Sequence, residues 1–348
     1  MVIKTNPSSN VADINIGPLQ LTSGHTLDEV VLRYERVGPK DGPVILVCHA
    51  LTGNHLTVGT KTHPGWWSSL INDGKYIDTQ SYQVITFNVL GGCDGSTGPT
   101  STNPKTGLPY QASFPEITVQ DIIKAQYKAL KQLNINKLYA IIGGSLGGMQ
   151  VFEWGLCYPE MIHKLIILAT TSAFSDYGIA FNHIAEAAIK NDPHWNKGFY
   201  QKEHYLSGLE IARMIGMVTY RSSDLFTERF KREKSNNQYH VTSYLDYQGI
   251  KLRSRFDANS YLRLLHAMNQ HDISESFGSM ALAYQTLSLP TLMLSFDKDL
   301  IYEPLHIKTC AEQLPNCIYH HVETNFGHDG FLVEFEKWGG LIKHFLSY

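Results

Sequence analysis

No stretch of this 348-residue chain approaches the roughly 20 consecutive apolar residues that a membrane-crossing helix needs. Residues 1–10 are polar and lack the apolar centre of a secretion signal, so a cytoplasmic protein without a membrane partner is expected. Lysine and arginine are scattered and the formal charge is only −3 at pH 7, which leaves no electrostatic footprint for nucleic acid. A small-molecule partner is expected instead. The five cysteines, Cys48, Cys93, Cys157, Cys310 and Cys317, are odd in number and contain no C-x-x-C pair, which argues against a disulfide framework and a zinc ribbon. There is no H-E-x-x-H among the histidines, and His320 and His321 lie in a strand-like run whose neighbours face opposite ways, so no metal site is expected. Internal repeats and low-complexity segments are lacking too.

Against these absences stands a 43% hydrophobic composition, enough for a large core. Apolar runs of strand length occupy residues 44–49, 82–88, 138–143, 164–169, 291–296 and 318–322. Helix-like segments separate several of them; Thr118 reads as an N-cap, after which Ile122, Ile123, Leu130 and Leu133 recur at helical spacing. This alternation predicts an α/β fold with a mainly parallel central sheet covered by helices. Between residues 169 and 289 the strand signals fade and residues 181–189, 206–218, 260–268 and 276–287 read as helices. The expected organisation is a core of residues 1–170 and 290–348 with a helical lid inserted at 171–289. Residues 91–110, rich in Gly, Ser, Thr and Pro, read as a functional loop.

The run Leu138-Tyr139-Ala140-Ile141-Ile142 leads directly into Gly143-Gly144-Ser145-Leu146-Gly147-Gly148 and a helix-compatible segment. Strand, G-x-S-x-G turn and helix together make a nucleophile turn that lifts Ser145 above the sheet, with glycines where backbone and helix come too close for a side chain. A G-x-G-x-x-G dinucleotide fingerprint fails, because Ser145 occupies its middle glycine position. A serine hydroxyl needs a general base, and the base an orienting acid, in the chain order serine, acid, histidine. The strand-like run 291–296 is followed by Asp297 and Asp299, of which Asp299 is preferred, Asp297 reading as a strand-end turn residue or helix cap. His328, between glycines 327 and 330 and after the last strand-like run, is the expected base. The oxyanion donors are then the backbone N–H groups of Leu146 and of Leu51, which follows the run at 44–48; His49 reads as a packing or hydrogen-bonding residue.

With these residues in place, the sequence resembles the homoserine O-acetyltransferase family of methionine biosynthesis, α/β-hydrolase-fold enzymes with an inserted lid. The matching stretches are Cys48-His49-Ala50-Leu51-Thr52-Gly53-Asn54, Gly91-Gly92-Cys93-Asp94-Gly95-Ser96-Thr97-Gly98-Pro99, Gly143-Gly144-Ser145-Leu146-Gly147-Gly148-Met149-Gln150, Thr219-Tyr220-Arg221-Ser222 and Gly327-His328-Asp329. The resemblance implies a cytoplasmic homodimer that moves an acetyl group from acetyl-CoA, a co-substrate and not a bound cofactor, to the hydroxyl of L-homoserine through an acyl-serine. It implies no metal. It places the triad on Ser145, Asp299 and His328, the acceptor's carboxylate on Arg213, a second acceptor contact on Asp329 and a homoserine-contacting tyrosine at Tyr220. Asp94 stands where many members carry a basic residue, and Glu303 where many carry proline.

An arginine can grip a carboxylate through two parallel hydrogen bonds and a carboxylate can hold an ammonium, so Arg213 with Asp329 suits an amino-acid acceptor. Without the resemblance, Arg213 reads as a helix-surface partner of Glu210. The competing readings are transfer from succinyl-CoA, L-serine as acceptor, a plain serine esterase, and a non-catalytic binding protein on the same scaffold.

Overall fold

The computed structural model describes residues 2–3, 10–201 and 205–348, and the polar segment at residues 1–10 falls mostly outside them. In chain order the first strands are β1 (Val2–Ile3), β2 (Val11–Gln20), β3 (Thr26–Val37), β4 (Val44–Cys48), β5 (Ile71–Asn72), β6 (Ile77–Asp78) and β7 (Gln83–Phe87). They are followed by β8 (Ala140–Gly144), β9 (Leu165–Leu168), β10 (Lys234–Ser235), β11 (Gln238–Tyr239), β12 (Thr291–Phe296) and β13 (Cys317–Val322). Nine of them form one sheet in the order β1-β2-β3-β7-β4-β8-β9-β12-β13, parallel from β7 to β13 and antiparallel from β1 to β7.

The central strands are apolar on both faces because both faces are covered. Along β4, Leu46 and Cys48 join one core while Ile45 and Val47 join the other, and Ile141 in β8 faces away from Ala140 and Ile142 in the same way. The first core is closed by α1 (Val119–Gln132) and α2 (Leu146–Cys157), the second by the C-terminal helix at Phe335–Leu346, whose Trp338 and Ile342 are fully buried. A capping box starts α1: the Thr118 side chain accepts from the Asp121 N–H, and the Asp121 side chain accepts from the Thr118 N–H.

Strands β9 and β12 are hydrogen-bonded neighbours, from Leu165 opposite Thr291 to Leu168 opposite Leu294, yet more than a hundred residues separate them in the chain. That excursion carries α3 (Asp176–Lys190), α4 (Ser207–Thr219), α5 (Ser223–Phe230), α6 (His240–Arg253), α7 (Ala258–Asn269) and α8 (Met280–Thr286). It leaves from the carboxyl end of β9, the end of the sheet at which ligands bind in open α/β folds.

The six strand-like runs and the helix after Thr118 correspond to observed elements within a residue or two. The hairpin of β2 and β3 is an addition. Its β2 strand buries Ala12, Ile14, Ile16 and Leu19 in alternation, with a register shift on either side of Gly17 and with Pro18 inside the irregularity. Helices α5 and α6 are also additions; each buries few of its own residues, so neither shows a strong apolar stripe.

Candidate active site

Ser145 ends β8 and begins α2 with φ 57° and ψ −127°, a conformation that L-residues rarely adopt. The turn is held from three sides. The Ser145 N–H donates to the Leu168 carbonyl at 3.1 Å, its carbonyl accepts from Thr170 Oγ1 at 2.8 Å, and it also accepts from the Met149 N–H at 3.0 Å. The flanking glycines are required by contact: a Cβ on Gly143 would lie 2.4 Å from the Gly147 backbone, and one on Gly147 would lie 2.1 Å from the Cys48 carbonyl oxygen. The motif thus packs β8, α2 and the end of β4 against one another.

The end of β4 supplies the other half of the site. Burial pushes the His49 imidazole down to about 4, so it is neutral; Nδ1–H donates to the Ala50 carbonyl at 2.8 Å while Nε2 accepts from the Val89 N–H at 3.0 Å. His49 therefore shapes the turn that carries Leu51, as the hydrogen-bonding reading expects. Gln150, whose role the sequence reading missed although it closes the 143–150 motif, bridges the two halves: its Nε2 donates to the carbonyls of His49 at 3.1 Å and Leu146 at 3.2 Å. Neither the Leu51 nor the Leu146 N–H has an acceptor among the described residues. Leu51, Ser145 and His328 line the same cavity.

Of the two aspartates after β12, the structure brings Asp299 to the histidine. His328 Nδ1 lies 2.7 Å from Asp299 Oδ2, and Oδ1 accepts from the backbone N–H groups of Ile301 and Tyr302, each at 2.9 Å. The pair is buried, and the imidazole is clasped by the rings of Tyr302, Phe331 and Tyr220 at centroid distances of 5.3, 5.3 and 5.5 Å. Asp297 is half-exposed, with His321 Nε2 3.8 Å away. Glu303, one of the departures noted in the sequence, is the N-cap of the helix Pro304–Gln313 and leaves the Asp299 contacts intact. With Nδ1 bonded to the acid, Nε2 is the nitrogen available to a serine. Among the described residues Ser145 Oγ makes no well-formed hydrogen bond, a looseness common before substrate binds.

The cavity over Ser145 is narrow, about 30 Å³, and its other walls come from the helical excursion: Phe181 and Asn182 on α3, Ala212 and Gly216 on α4, and Tyr261 on α7. Arg213 is half-buried on α4, and its expected surface partner is taken: Glu210 pairs with Arg253 Nε at 2.6 Å and accepts from the Tyr205 hydroxyl at 2.6 Å. Arg213 has no ion-pair partner among the described residues, and its charge acts on Tyr220, Tyr261 and Arg255. Tyr220 lines the cavity, and burial pushes its hydroxyl above the ordinary range. Tyr261 was not singled out from the sequence because its helix shows only an apolar stripe.

Asp329 does not line this cavity. Its Oδ2 accepts from Arg221 Nε at 2.8 Å, and its backbone N–H donates to the Tyr220 carbonyl at 3.0 Å. The loop before it is fastened to the same turn: Ser222 Oγ donates to the Asn325 carbonyl, and a Cβ on Gly327 would meet the Tyr220 carbonyl oxygen at 3.1 Å. Lys298 adds a third tie, from Asn325 Oδ1 at 2.7 Å to Asp224 Oδ2 at 2.6 Å. Among the described residues no cluster of three or more His, Cys, Asp or Glu could hold a metal, and no helix is long and apolar enough to cross a membrane.

A strained serine turn, a buried Asp–His pair and one cavity lined by Leu51, Ser145 and His328 at the carboxyl end of a parallel sheet define the class. Residues 43–335 match the model of the alpha/beta hydrolase fold. The chain is 44% identical to the homoserine O-acetyltransferase of Methanococcus vannielii, an alignment covering 94% of this chain and 71% of that protein. It is 39% identical to the homoserine O-acetyltransferase of Carboxydothermus hydrogenoformans, over 95% and 93% of the two chains. The crystal structure of homoserine O-acetyltransferase from Staphylococcus aureus superposes with a TM-score of 0.83 at 38% identity, covering 97% of this chain and 95% of that one. This chain belongs to the homoserine O-acetyltransferase family.

Proposed function

We propose that the protein transfers an acetyl group from acetyl-CoA to the side-chain hydroxyl of L-homoserine, in methionine biosynthesis, with Ser145 as nucleophile, His328 as general base and acid, and Asp299 as orienting acid. The carrying observation is that one narrow cavity joins Ser145 and His328 to Tyr220 on the helical excursion, beside an Arg213 without an ion-pair partner among the described residues. In the first half, Ser145 Oγ attacks the thioester carbon while His328 Nε2 takes its proton; the C–S bond breaks and the thiol leaves with that proton. The Leu51 and Leu146 N–H groups receive the negative oxygen of each tetrahedral intermediate. In the second half, the homoserine hydroxyl gives its proton to His328 and attacks the acyl carbon, and Ser145 is released. Arg213 grips the acceptor carboxylate and Tyr220 contacts the acceptor; Asp329, which stands outside the narrow cavity on Arg221, meets the ammonium through its remaining oxygen once the bound acceptor widens the site.

The excursion at residues 171–289 then serves as a lid over the core of residues 1–170 and 290–348, excluding water from the acyl-enzyme. Asp94 faces Arg255 and Arg33, which leaves the CoA contacts open to other residues. The cytoplasm is the expected compartment, where the five cysteines, none of them paired, stay reduced. Ile184, Ile211, Val218, Tyr247 and Ile250 stand exposed on α3, α4 and α6, of which α4 packs on both the others, and a second copy would cover them in a homodimer. A Val218→Glu variant should then sediment as a monomer; a wild-type chain that is already monomeric removes this assignment.

The test of the activity is isotope exchange. Labelled CoA should exchange into acetyl-CoA without homoserine, and initial-rate lines at several homoserine concentrations should be parallel. Intersecting lines with no exchange would mean direct transfer in a ternary complex, and fast hydrolysis indifferent to homoserine would mean an esterase. In Arg213→Lys the exchange should persist while the KM for homoserine rises about 10- to 100-fold, since an ammonium cannot make the two-point grip.

A further inference from the structure

Two buried tyrosine hydroxyls of the helical excursion are plainly satisfied: that of Tyr200 donates to Asp257 Oδ1 at 2.5 Å, and that of Tyr284 meets Ser172 Oγ at 2.6 Å. Tyr302 differs. Its side chain is 1% exposed and, among the described residues, its hydroxyl makes no well-formed hydrogen bond, although the Ser145 side chain lies close enough to act on it as a hydrogen-bonding neighbour. Its place is fixed by contacts that do not involve the hydroxyl. The backbone N–H is held by Asp299 Oδ1, and the ring stacks on His328 at 5.3 Å with 26° between the planes and on Phe174 at 5.6 Å. Stacked in this way on the catalytic imidazole, the phenol points its hydroxyl toward the Ser145 side chain, its hydrogen-bonding neighbour. Burial holds the phenol well above its ordinary range, so it keeps its proton and serves as a donor.

We propose that the Tyr302 hydroxyl donates a hydrogen bond to Ser145 Oγ as that oxygen leaves the acyl group, making Tyr302 a catalytic residue of the second half-reaction. The step rests on the acyl-serine reading above. Homoserine's oxygen has bonded to the acyl carbon and its proton is on His328 Nε2. The C–Oγ bond then breaks, its electron pair returns to Oγ, and His328 delivers the proton to Oγ; Tyr302 keeps its own. The donor matters most here because an ester oxygen is a poor acceptor, whereas a departing alkoxide is a strong one. In the first half-reaction Oγ starts as a hydroxyl that can already accept the same bond, so less is gained.

Tyr302→Phe removes the hydroxyl and keeps the ring stack. Ser145 is acetylated with p-nitrophenyl acetate, whose burst amplitude counts competent sites so that misfolded protein does not enter the rates. The acetyl-enzyme is then mixed with homoserine and its decay followed by mass spectrometry. The expected result is decay about 10- to 100-fold slower than wild type with a burst rate changed less than about threefold. Decay at the wild-type rate, or equal slowing of burst and decay, overturns the inference. A wild-type protein that takes up no acetyl group at Ser145 overturns the parent reading as well.

Discussion

Ser145→Ala should bind both substrates, form no acetyl adduct, and lose acetyl transfer by about a million-fold, the scale on which serine enzymes lose activity when the nucleophile is deleted. The size follows from geometry. Ser145 is the residue of the turn at the floor of the cavity, with the Leu51 and Leu146 N–H groups unoccupied beside it. The cysteines offer no substitute: burial pushes Cys93 up to about 12 and Cys48 higher still, so neither provides a thiolate near neutral pH. The backbone supplies an independent check on the same position. At φ 57° alanine is as strained as serine, whereas glycine is not, so Ser145→Gly should be equally inactive yet more stable than Ser145→Ala by about 1–3 kcal/mol. Intact-mass spectra after incubation with acetyl-CoA, with melting temperatures of both variants, test the pair of statements. An adduct on the alanine variant with activity retained would end the acyl-serine mechanism.

Asp299→Asn should reduce the chemical step about ten-thousand-fold while Asp297→Asn changes it by less than about threefold. Asp299 spends one oxygen on two backbone N–H groups and the other on His328 Nδ1, so the amide replacement would force the imidazole into the wrong tautomer without moving the chain. Asp297 is half-exposed beside His321 and touches none of these groups. Single-turnover rates for the two variants decide it. Comparable rates, or the reverse ranking, would transfer the acid to Asp297.

What could be read from the chain beforehand follows how locally each feature is encoded. The serine turn was legible because its cause lies within a few residues: a strand, two glycines that must touch backbone, and a helix. The central strands were legible because burial on both faces leaves an unbroken apolar run. Strands β2 and β3 were missed because one of their faces meets solvent or polar partners, and the alternation in β2 is broken by Gly17 and Pro18 at its bulge. Asp299 needed more than pattern, since two aspartates stand two residues apart and only the fold decides which carboxylate reaches His328. The pairing of Asp329 with Arg221, the diversion of Glu210 to Arg253 and the unsatisfied Tyr302 hydroxyl are contacts between distant segments, and no spacing rule announces them.

The turn at Tyr220, Arg221 and Ser222 carries the proposed acceptor contact on one side and is fastened on the other to the loop of His328: Asp329 N–H to the Tyr220 carbonyl, Ser222 to Asn325, and Gly327 packed tightly against the Tyr220 carbonyl. A roof built this way cannot lift from its floor and leave the floor unchanged. Raising α4 to admit bulk water would draw on the segment that holds His328 between Asp299 and the cavity, so wetting the acyl-serine and disabling the base that could activate that water become one event. On the acyl-serine mechanism proposed above, hydrolysis would be disfavoured by an interlock as well as by dryness, because the open enzyme would be an unarmed one.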